Sequence, residues 1–308
     1  MKVGFIGLGT MGGGMSLNIR HAEHDMTVFD INKDASQRQI AAGCNWADSP
    51  RLVAEASEIV FTSLPGPPEV EAVALGENGL LAGMKPGSVW CDLSTNSPTL
   101  MRRLHAQFKE KGIHVLDTPV SGGPAGANSG KLAIWCGGEE DVFNDAKHVL
   151  DAMGDQVKYI GPIGAGTVAK LVHNCAGYAV QAALAECFTM GVKAGVDPLN
   201  LYDAIRQGAG GRRRTFDGLS GSFMQNKFLP ASFQLKLAHK DVRLATELGR
   251  EIGVPMRIAN LAYEELTEAM NRGWGTWDSR AAMLIQKERA GVEIEVPAED
   301  IAAVNARG

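Results

Sequence analysis

Short apolar runs rich in β-branched residues recur through the first half of the chain, and helix-compatible stretches separate most of them. The runs at 2–6, 26–29, 58–64, 88–93, 113–117, 132–136 and 157–160 read as strands. The intervening stretches near 12–20, 34–42, 49–56, 67–74, 97–108 and 139–152 read as helices. Strand and helix in alternation predict an α/β architecture, a doubly wound and mostly parallel sheet. After Gly161 strand-like runs nearly vanish and helical periodicity continues to about residue 290. The expected organisation is an α/β domain over 1–161 and an all-helical domain over 162–308, joined by a long central helix at about 165–194. Further amphipathic helices are expected over 233–252, 256–270 and 279–289, with Asp197-Pro198 opening a helix and the last dozen residues frayed.

The stretch for the central helix is apolar on nearly every side, at Val168, Leu171, Val172, Ala176, Ala179, Val180, Ala183 and Leu184. Such a helix is expected to be buried. Lys170, His173, Asn174, Gln181 and Glu186 interrupt every window long enough to span a membrane. Lys170 and Asn174 lie four apart and share a face, which Gly177 and Gln181 continue. That face is either the wall of a polar pocket or a place where a lysine stem packs while its head reaches water.

A length of 308 residues suits about two domains. The net charge of −5 argues against nucleic acid or an anionic membrane as the main partner. Five scattered cysteines without CxxC spacing point away from a disulfide framework and from a metal site, and fit a reducing compartment. Met1 leads directly into the first apolar run without a basic or Arg/Ser-rich leader, so a cytoplasmic location is expected.

The first run is followed at once by Gly7-Leu8-Gly9-Thr10-Met11-Gly12, then by a helix, a second run and Asp30. A bare GxGxxG is a weak signal, but here strand, glycine turn, helix, strand and acid follow one another in about thirty residues. Gly7 permits the tight turn, Gly9 lets backbone approach a pyrophosphate, and Gly12 lets the helix close on the strand. The helix N-terminus faces the phosphates. The N-terminal domain is therefore expected to be of Rossmann type, with NAD as cofactor. A carboxylate at Asp30 accepts hydrogen bonds from ribose hydroxyls and repels a 2′-phosphate.

Ligands of such sheets sit beyond the carboxyl ends of the strands, which singles out Leu64-Pro65 and Ser94-Thr95, although turn and cap chemistry would use the same residue types. The segment from Asp117 through Ser121-Gly122-Gly123 to Gly126 offers backbone N–H groups and a hydroxyl that could hold a carboxylate. It could equally be a loop bending the chain into a sixth strand. Arg212-Arg213-Arg214 is either a solvated basic patch or the source of one guanidinium, taken as Arg212, for an anionic substrate tail. Trp274 and Trp277 are expected to be packing or subunit-contact residues.

Together these blocks resemble the β-hydroxyacid dehydrogenase family of the hydroxyisobutyrate dehydrogenase type. The run from Phe5 through Gly7-Leu8-Gly9-Thr10-Met11-Gly12 to Asn18 is similar to the family's N-terminal motif. Asp117 to Gly123, with Gly126, Ala127 and Gly130, is similar to its substrate loop. Gly164-Ala165-Gly166 through Lys170 and Asn174 resembles its catalytic stretch, and His239-Lys240-Asp241 its late lysine motif. Thr118, Lys131 and the three arginines depart from the usual pattern. The resemblance implies an NAD-dependent oxidoreductase that moves a hydride between the nicotinamide and a small β-hydroxyacid or its semialdehyde. It implies Lys170 as general acid/base, with Ser121, Gly122, Gly123, Asn174, Lys240 and Arg212 toward substrate. The Gly7–Gly12 loop, Asp30, Leu64, Pro65, Thr95 and Lys240 are implied to hold cofactor. No metal is expected, and a homodimer or homotetramer is. The alternative within the family is a reductase of an aldehyde acid bearing a second anionic or polar group. A non-catalytic nucleotide-binding module and the family's imine reductases both differ by lacking lysine at this position.

Overall fold

Strands buried on both faces read as nearly continuous apolar runs, and the central strands of this protein's sheet are of that kind. We describe the chain from a computed structural model, which covers residues 1–306 apart from 197–200, 202–203, 206, 213–219, 233, 237, 240–241, 243–245, 247–249, 251–252 and 292. The segments at 197–198, and parts of 212–214 and 233–252, that the pattern singles out therefore lie outside the described residues. Contacts group the chain into two units, Met1–Ala176 and Gly177–Gly308.

In the first unit, β1 (Lys2–Ile6), α1 (Gly12–His21) and β2 (Asp25–Phe29) come first. They are followed by α2 (Gln37–Ala41), β3 (Asn45–Trp46), α3 (Pro50–Glu55), β4 (Ile59–Thr62), α4 (Pro67–Leu75), α5 (Leu80–Gly83), β5 (Val89–Asp92), α6 (Pro98–Lys109) and β6 (His114–Asp117). β7 (Val120–Ser121), α7 (Gly123–Ser129), β8 (Leu132–Gly137), α8 (Glu140–Leu150) and β9 (Gly154–Gly161) complete the run, and α9 (Ala165–Lys193) begins in this unit and continues past Ala176 into the second. The sheet has nine strands in the order β3-β2-β1-β4-β5-β6-β8-β7, with β9 paired to β8. All pairs are parallel except β6–β8 and β7–β8.

Alternate residues of the strands feed two cores. Val3, Phe5, Ile59, Phe61, Cys91 and Leu116 belong to one, while Ile6, Val60, Trp90 and Val115 belong to the other. Helices begin where capping chemistry permits. The Leu52 amide donates to Ser49 Oγ at 3.2 Å ahead of α3, and the Leu100 amide to Ser97 Oγ at 3.4 Å ahead of α6. Each is followed by proline at the first helical position.

The segment after β6 is more ordered than a glycine- and proline-rich run reads from sequence. Asp117↔Gly137, Val120↔Ile134 and Ser121↔Ala133 keep one antiparallel register along β8. β6 and β7 are thus a single strand interrupted at Thr118-Pro119, where proline has no N–H for the ladder. α7 follows, and its Ala127 carbonyl accepts from Asn18 Nδ2 of α1 at 2.8 Å.

The expectation of a helix buried all round is corrected for α9. Val168, Leu171, Val172 and Val180 are 40–58% exposed. Periodicity reports which sides of a helix are apolar, not what covers them.

In the second unit the helix Arg257–Asn271, a 3-10 turn at Ser279–Ala282 and the helix Met283–Ala290 surround Phe228, Leu235, Ala269, Ala281, Leu284 and Ile285. Trp274 and Trp277 stack with centroids 5.5 Å apart, and Trp277 stacks on Phe228 at 6.2 Å. The frayed C-terminus is also corrected. Ala298–Asn305 is a helix that buries Ile301, with Glu299 and Asp300 in its first turn, where negative charge suits the helix dipole. Among the described residues no helix is long and apolar enough to cross a membrane.

Candidate active site

The strand order reverses between β1 and β4, and the loops after those two strands meet there. Gly7, with φ of +93°, packs so closely on the Ser63 carbonyl that a side chain could not fit. The same holds for Gly12, whose missing side chain would overlap the Gly7 carbonyl oxygen. Gly9 differs, since a Cβ there would meet nothing within 4 Å. Two glycines close the turn and the third leaves its outer side open, the shape a dinucleotide pyrophosphate requires. Leu8 is buried, Gly9 and Thr10 are exposed, and Met11 is half-buried.

Asp30 lies just past β2 and is half-buried. Its Oδ2 accepts from the Leu8 amide at 2.6 Å and its Oδ1 from the Asn32 amide at 2.8 Å. The carboxylate thus braces the glycine loop, and the remaining lone pairs of both oxygens can still accept from hydroxyls. The residues present fit an adenosine ribose next to a pyrophosphate.

Leu64, Pro65 and Thr95 line the same edge of the sheet, past β4 and β5. Behind them stands a buried polar network. Trp90 Nε1 donates to Thr62 Oγ1 at 2.9 Å, and Thr62 Oγ1 donates to Asp92 Oδ1 at 2.8 Å. Asn96 Nδ2 donates to Asp92 Oδ2 at 2.9 Å, and the Leu64 amide to Ser94 Oγ at 2.9 Å. Burial pushes the Asp92 pKa up, and these donors pull it back. Thr95 is exposed between the buried Ser94 and Asn96, so a fixed backbone presents it.

Beyond β6, Ser121 is half-buried and held in register on β8, with Gly122 and Gly123 exposed at φ of +139° and +63°. A Cβ on Gly123 would meet nothing within 4 Å. α9 begins against this edge. Gly166 abuts the backbone of Asp117 and Trp135 with no room for a side chain. Lys170 and Asn174 follow it at intervals of four, so the face of α9 that presses on the end of β6 continues through both. Lys170 is half-buried, and burial lowers its pKa from the ordinary lysine value. Asn174 Oδ1 lies 3.1 Å from His173 Nδ1, which leaves the amide NH2 to donate elsewhere. The His173 ring packs against Trp135 at 5.2 Å.

Of the remaining candidates, Arg212 is exposed at the end of a short helix, Ala209–Arg212, in the second unit. Lys240 and the side chain of Gln181 lie outside what is described. Among the described residues no cluster of three or more His, Cys, Asp or Glu is placed to hold a metal ion. Sequence reasoning assigned no role to Asp92 or Asp117. Both are buried carboxylates with partners far off in sequence, Thr62 for Asp92 and Gly164 and Thr167 for Asp117, where local spacing carries no signal.

Residues 2–161 match the family model described as the NAD-binding domain of 6-phosphogluconate dehydrogenase. Residues 164–286 match that described as NAD-binding of NADP-dependent 3-hydroxyisobutyrate dehydrogenase. Together with the relatives that follow, these matches show that the chain belongs to the β-hydroxyacid dehydrogenase family and is an NAD-dependent oxidoreductase. It is 34% identical over 294 residues to 2-(hydroxymethyl)glutarate dehydrogenase of Eubacterium barkeri, covering 96% of this chain and 97% of the relative. It is 33% identical over 254 residues to 2-hydroxy-3-oxopropionate reductase of Escherichia coli, covering 82% and 86%. Among solved structures, 3-hydroxyisobutyrate dehydrogenase of Mycobacterium tuberculosis with L-serine superposes with a TM-score of 0.65 at 28% identity, covering 93% and 99%.

Proposed function

We propose that Lys170 is the general acid/base of this oxidoreductase, acting on a small β-hydroxyacid or its semialdehyde. The observation that carries the reading is the half-burial of Lys170 on the face of α9 seated against the end of β6, with its pKa lowered by desolvation. A lysine so placed can lose and regain a proton at working pH. NAD, when bound, supplies the hydride acceptor and donor. In oxidation, neutral Lys170 Nζ takes the proton of the substrate hydroxyl; in reduction, its ammonium returns a proton to the carbonyl oxygen. Ser121 Oγ and the backbone at Gly122 and Gly123 hold the substrate carboxylate, and the Asn174 amide donates to the substrate oxygen. The Gly7–Gly12 loop, Asp30, Leu64, Pro65, Thr95 and Lys240 hold the cofactor. Residues 1–161 form the cofactor domain and 162–308 a helical substrate and oligomerisation domain.

A second reading of the substrate has support of its own. Two of the relatives named above act, by their names, on acids that carry a further polar or anionic group. Arg212 is an exposed guanidinium suited to such a tail. The exposed apolar side chains of α9 support a homodimer or homotetramer, and the cysteine usage supports a cytoplasmic location.

A panel of small hydroxyacids and semialdehydes, scored by NADH absorbance with wild type and Lys170→Met, tests the reading. Turnover on at least one member by wild type, with loss in the variant while NADH binding persists, is the expected outcome. Near-normal turnover by a folded Lys170→Met would sink it.

A further inference from the structure

The amino end of α9 is capped only in part by its own neighbours, the Ala165 amide donating to the Pro162 carbonyl at 2.9 Å. Gly164 precedes it with φ of +90°, and the helix opens on Ala165-Gly166-Thr167, so the Gly164 and Thr167 amides need acceptors from elsewhere. They find them in Asp117, 47 residues back from Gly164. Asp117 is fully buried at the end of β6, paired to Asp92 of β5 and Gly137 of β8. Its Oδ1 accepts from the Gly164 amide at 2.6 Å. Its Oδ2 accepts from the Thr167 amide at 2.5 Å and from Thr167 Oγ1 at 2.7 Å.

The seat around this carboxylate is lined by glycine. A Cβ on Gly137 would overlap Asp117 Oδ1, and one on Gly166 would come within 2.7 Å of the Asp117 carbonyl. Both backbone amides can only donate, so the pocket matches an anion with hydrogen bonds of the charge-assisted kind. Two short stretches of chain then run outward from the same point. One leads from Asp117 through Pro119 to Ser121, in unbroken register on β8. The other leads from Thr167 one helical turn to Lys170.

We propose that Asp117 is a positioning residue, which locks the Ser121 segment and the Lys170 turn of α9 into one rigid unit. It touches neither substrate nor cofactor; it sets where the carboxylate-holding segment stands relative to the Nζ that moves the proton. This rests on the acid/base reading of Lys170. Asparagine at 117 keeps the shape but turns an NH2 toward a backbone N–H, so at least one donor at the start of α9 loses its acceptor. The spacing between the two arms then relaxes, and both binding of the hydroxyacid and proton transfer suffer.

The experiment compares Asp117→Asn, Thr167→Val and Thr167→Ser as full-length proteins, alone and with Lys170→Met, on the best substrate of the panel. Asp117→Asn is expected to lower kcat about 10- to 100-fold and raise KM for the hydroxyacid, with the NADH Kd within about twofold of wild type. Thr167→Val should show the same split, smaller, and Thr167→Ser should restore it, because only the hydroxyl matters there. Should Asp117→Asn not fold, the Val/Ser pair at 167 decides alone. In the Lys170→Met background Asp117→Asn should cost kcat little more, since residues acting as one unit are non-additive. The proposal is overturned if folded Asp117→Asn keeps wild-type kcat and KM, if Thr167→Ser does not rescue, or if the Asp117 loss repeats in full in the Lys170→Met background. If Lys170→Met alone keeps wild-type turnover, the acid/base reading has failed. A KM effect at Asp117 in that case still supports the lock on the Ser121 arm, and its absence overturns it.

Discussion

Two glycines of the same turn should respond to alanine in opposite ways. At Gly12 a methyl group would overlap the Gly7 carbonyl oxygen and lie 3.0 Å from its carbon and 3.1 Å from Phe5 Cε1. Two of those three atoms are backbone, so the strain cannot be relieved by a rotamer, and α1 must move off β1. Overpacking of this kind costs about 1–3 kcal/mol, and backbone against backbone belongs at the upper end. For a unit of this size about 3 kcal/mol lowers the melting temperature by roughly 6–12 °C. At Gly9 the new methyl meets no protein atom within 4 Å and φ is outside the left-handed region. Folding is then unharmed, or helped by up to about 1 kcal/mol through the unfolded chain. The methyl does take up the space where a pyrophosphate approaches. Loss of one charge-assisted hydrogen bond, about 1.5–3 kcal/mol, weakens NADH binding roughly 10- to 150-fold. Thermal melts followed by circular dichroism without cofactor, and NADH titrations followed by fluorescence, separate the two effects. Equal destabilisation by both substitutions, or wild-type NADH affinity in Gly9→Ala, would refute the reasoning.

Lys170→Met should lower kcat by roughly two to four orders of magnitude. In wild type, kcat/KM for oxidation should rise with pH as the Lys170 ammonium deprotonates, and that for reduction should fall through the same midpoint. Because burial lowers this pKa, the midpoint should lie below the ordinary lysine value of about 10.4; a wild-type pH profile persisting in a residually active variant would contradict the assignment. Asp30 should make NAD a far better cofactor than NADP by kcat/KM, and Asp30→Ser beside an added arginine should narrow the gap; equal use of both cofactors by wild type would show that Asp30 does not discriminate. Arg212→Ala should raise KM several-fold for hydroxyacids with a charged tail and leave methyl-tailed ones unchanged, and silence on every substrate would assign Arg212 to surface charge.

What could be read from sequence was whatever folds locally. Gly7, Gly9, Gly12 and Asp30 sit within one strand–turn–helix–strand unit, and their spacing carries the geometry. The central strands were legible because burial on both faces leaves continuous apolar runs. β7 and α7 were not, because a segment as rich in glycine and proline as 117–130 reads as loop unless the register of β8 is known. The network through Trp90, Thr62 and Asp92 joins adjacent strands about thirty residues apart, and the Asp117 cap reaches across more. Neither leaves a trace in local spacing. The exposed apolar side chains of α9 were misread for a related reason, since periodicity reports which sides are apolar and not what covers them.

The unbroken register through the Thr118-Pro119 interruption limits how this protein could have diversified. Side chains along a strand alternate between faces, so one residue gained or lost between Asp117 and Ser121 would turn Ser121 to the opposite face of the sheet. Length is therefore closed to evolution in this segment. New substrates must be reached by exchanging side chains at fixed positions, or by altering chain that is not registered on β8.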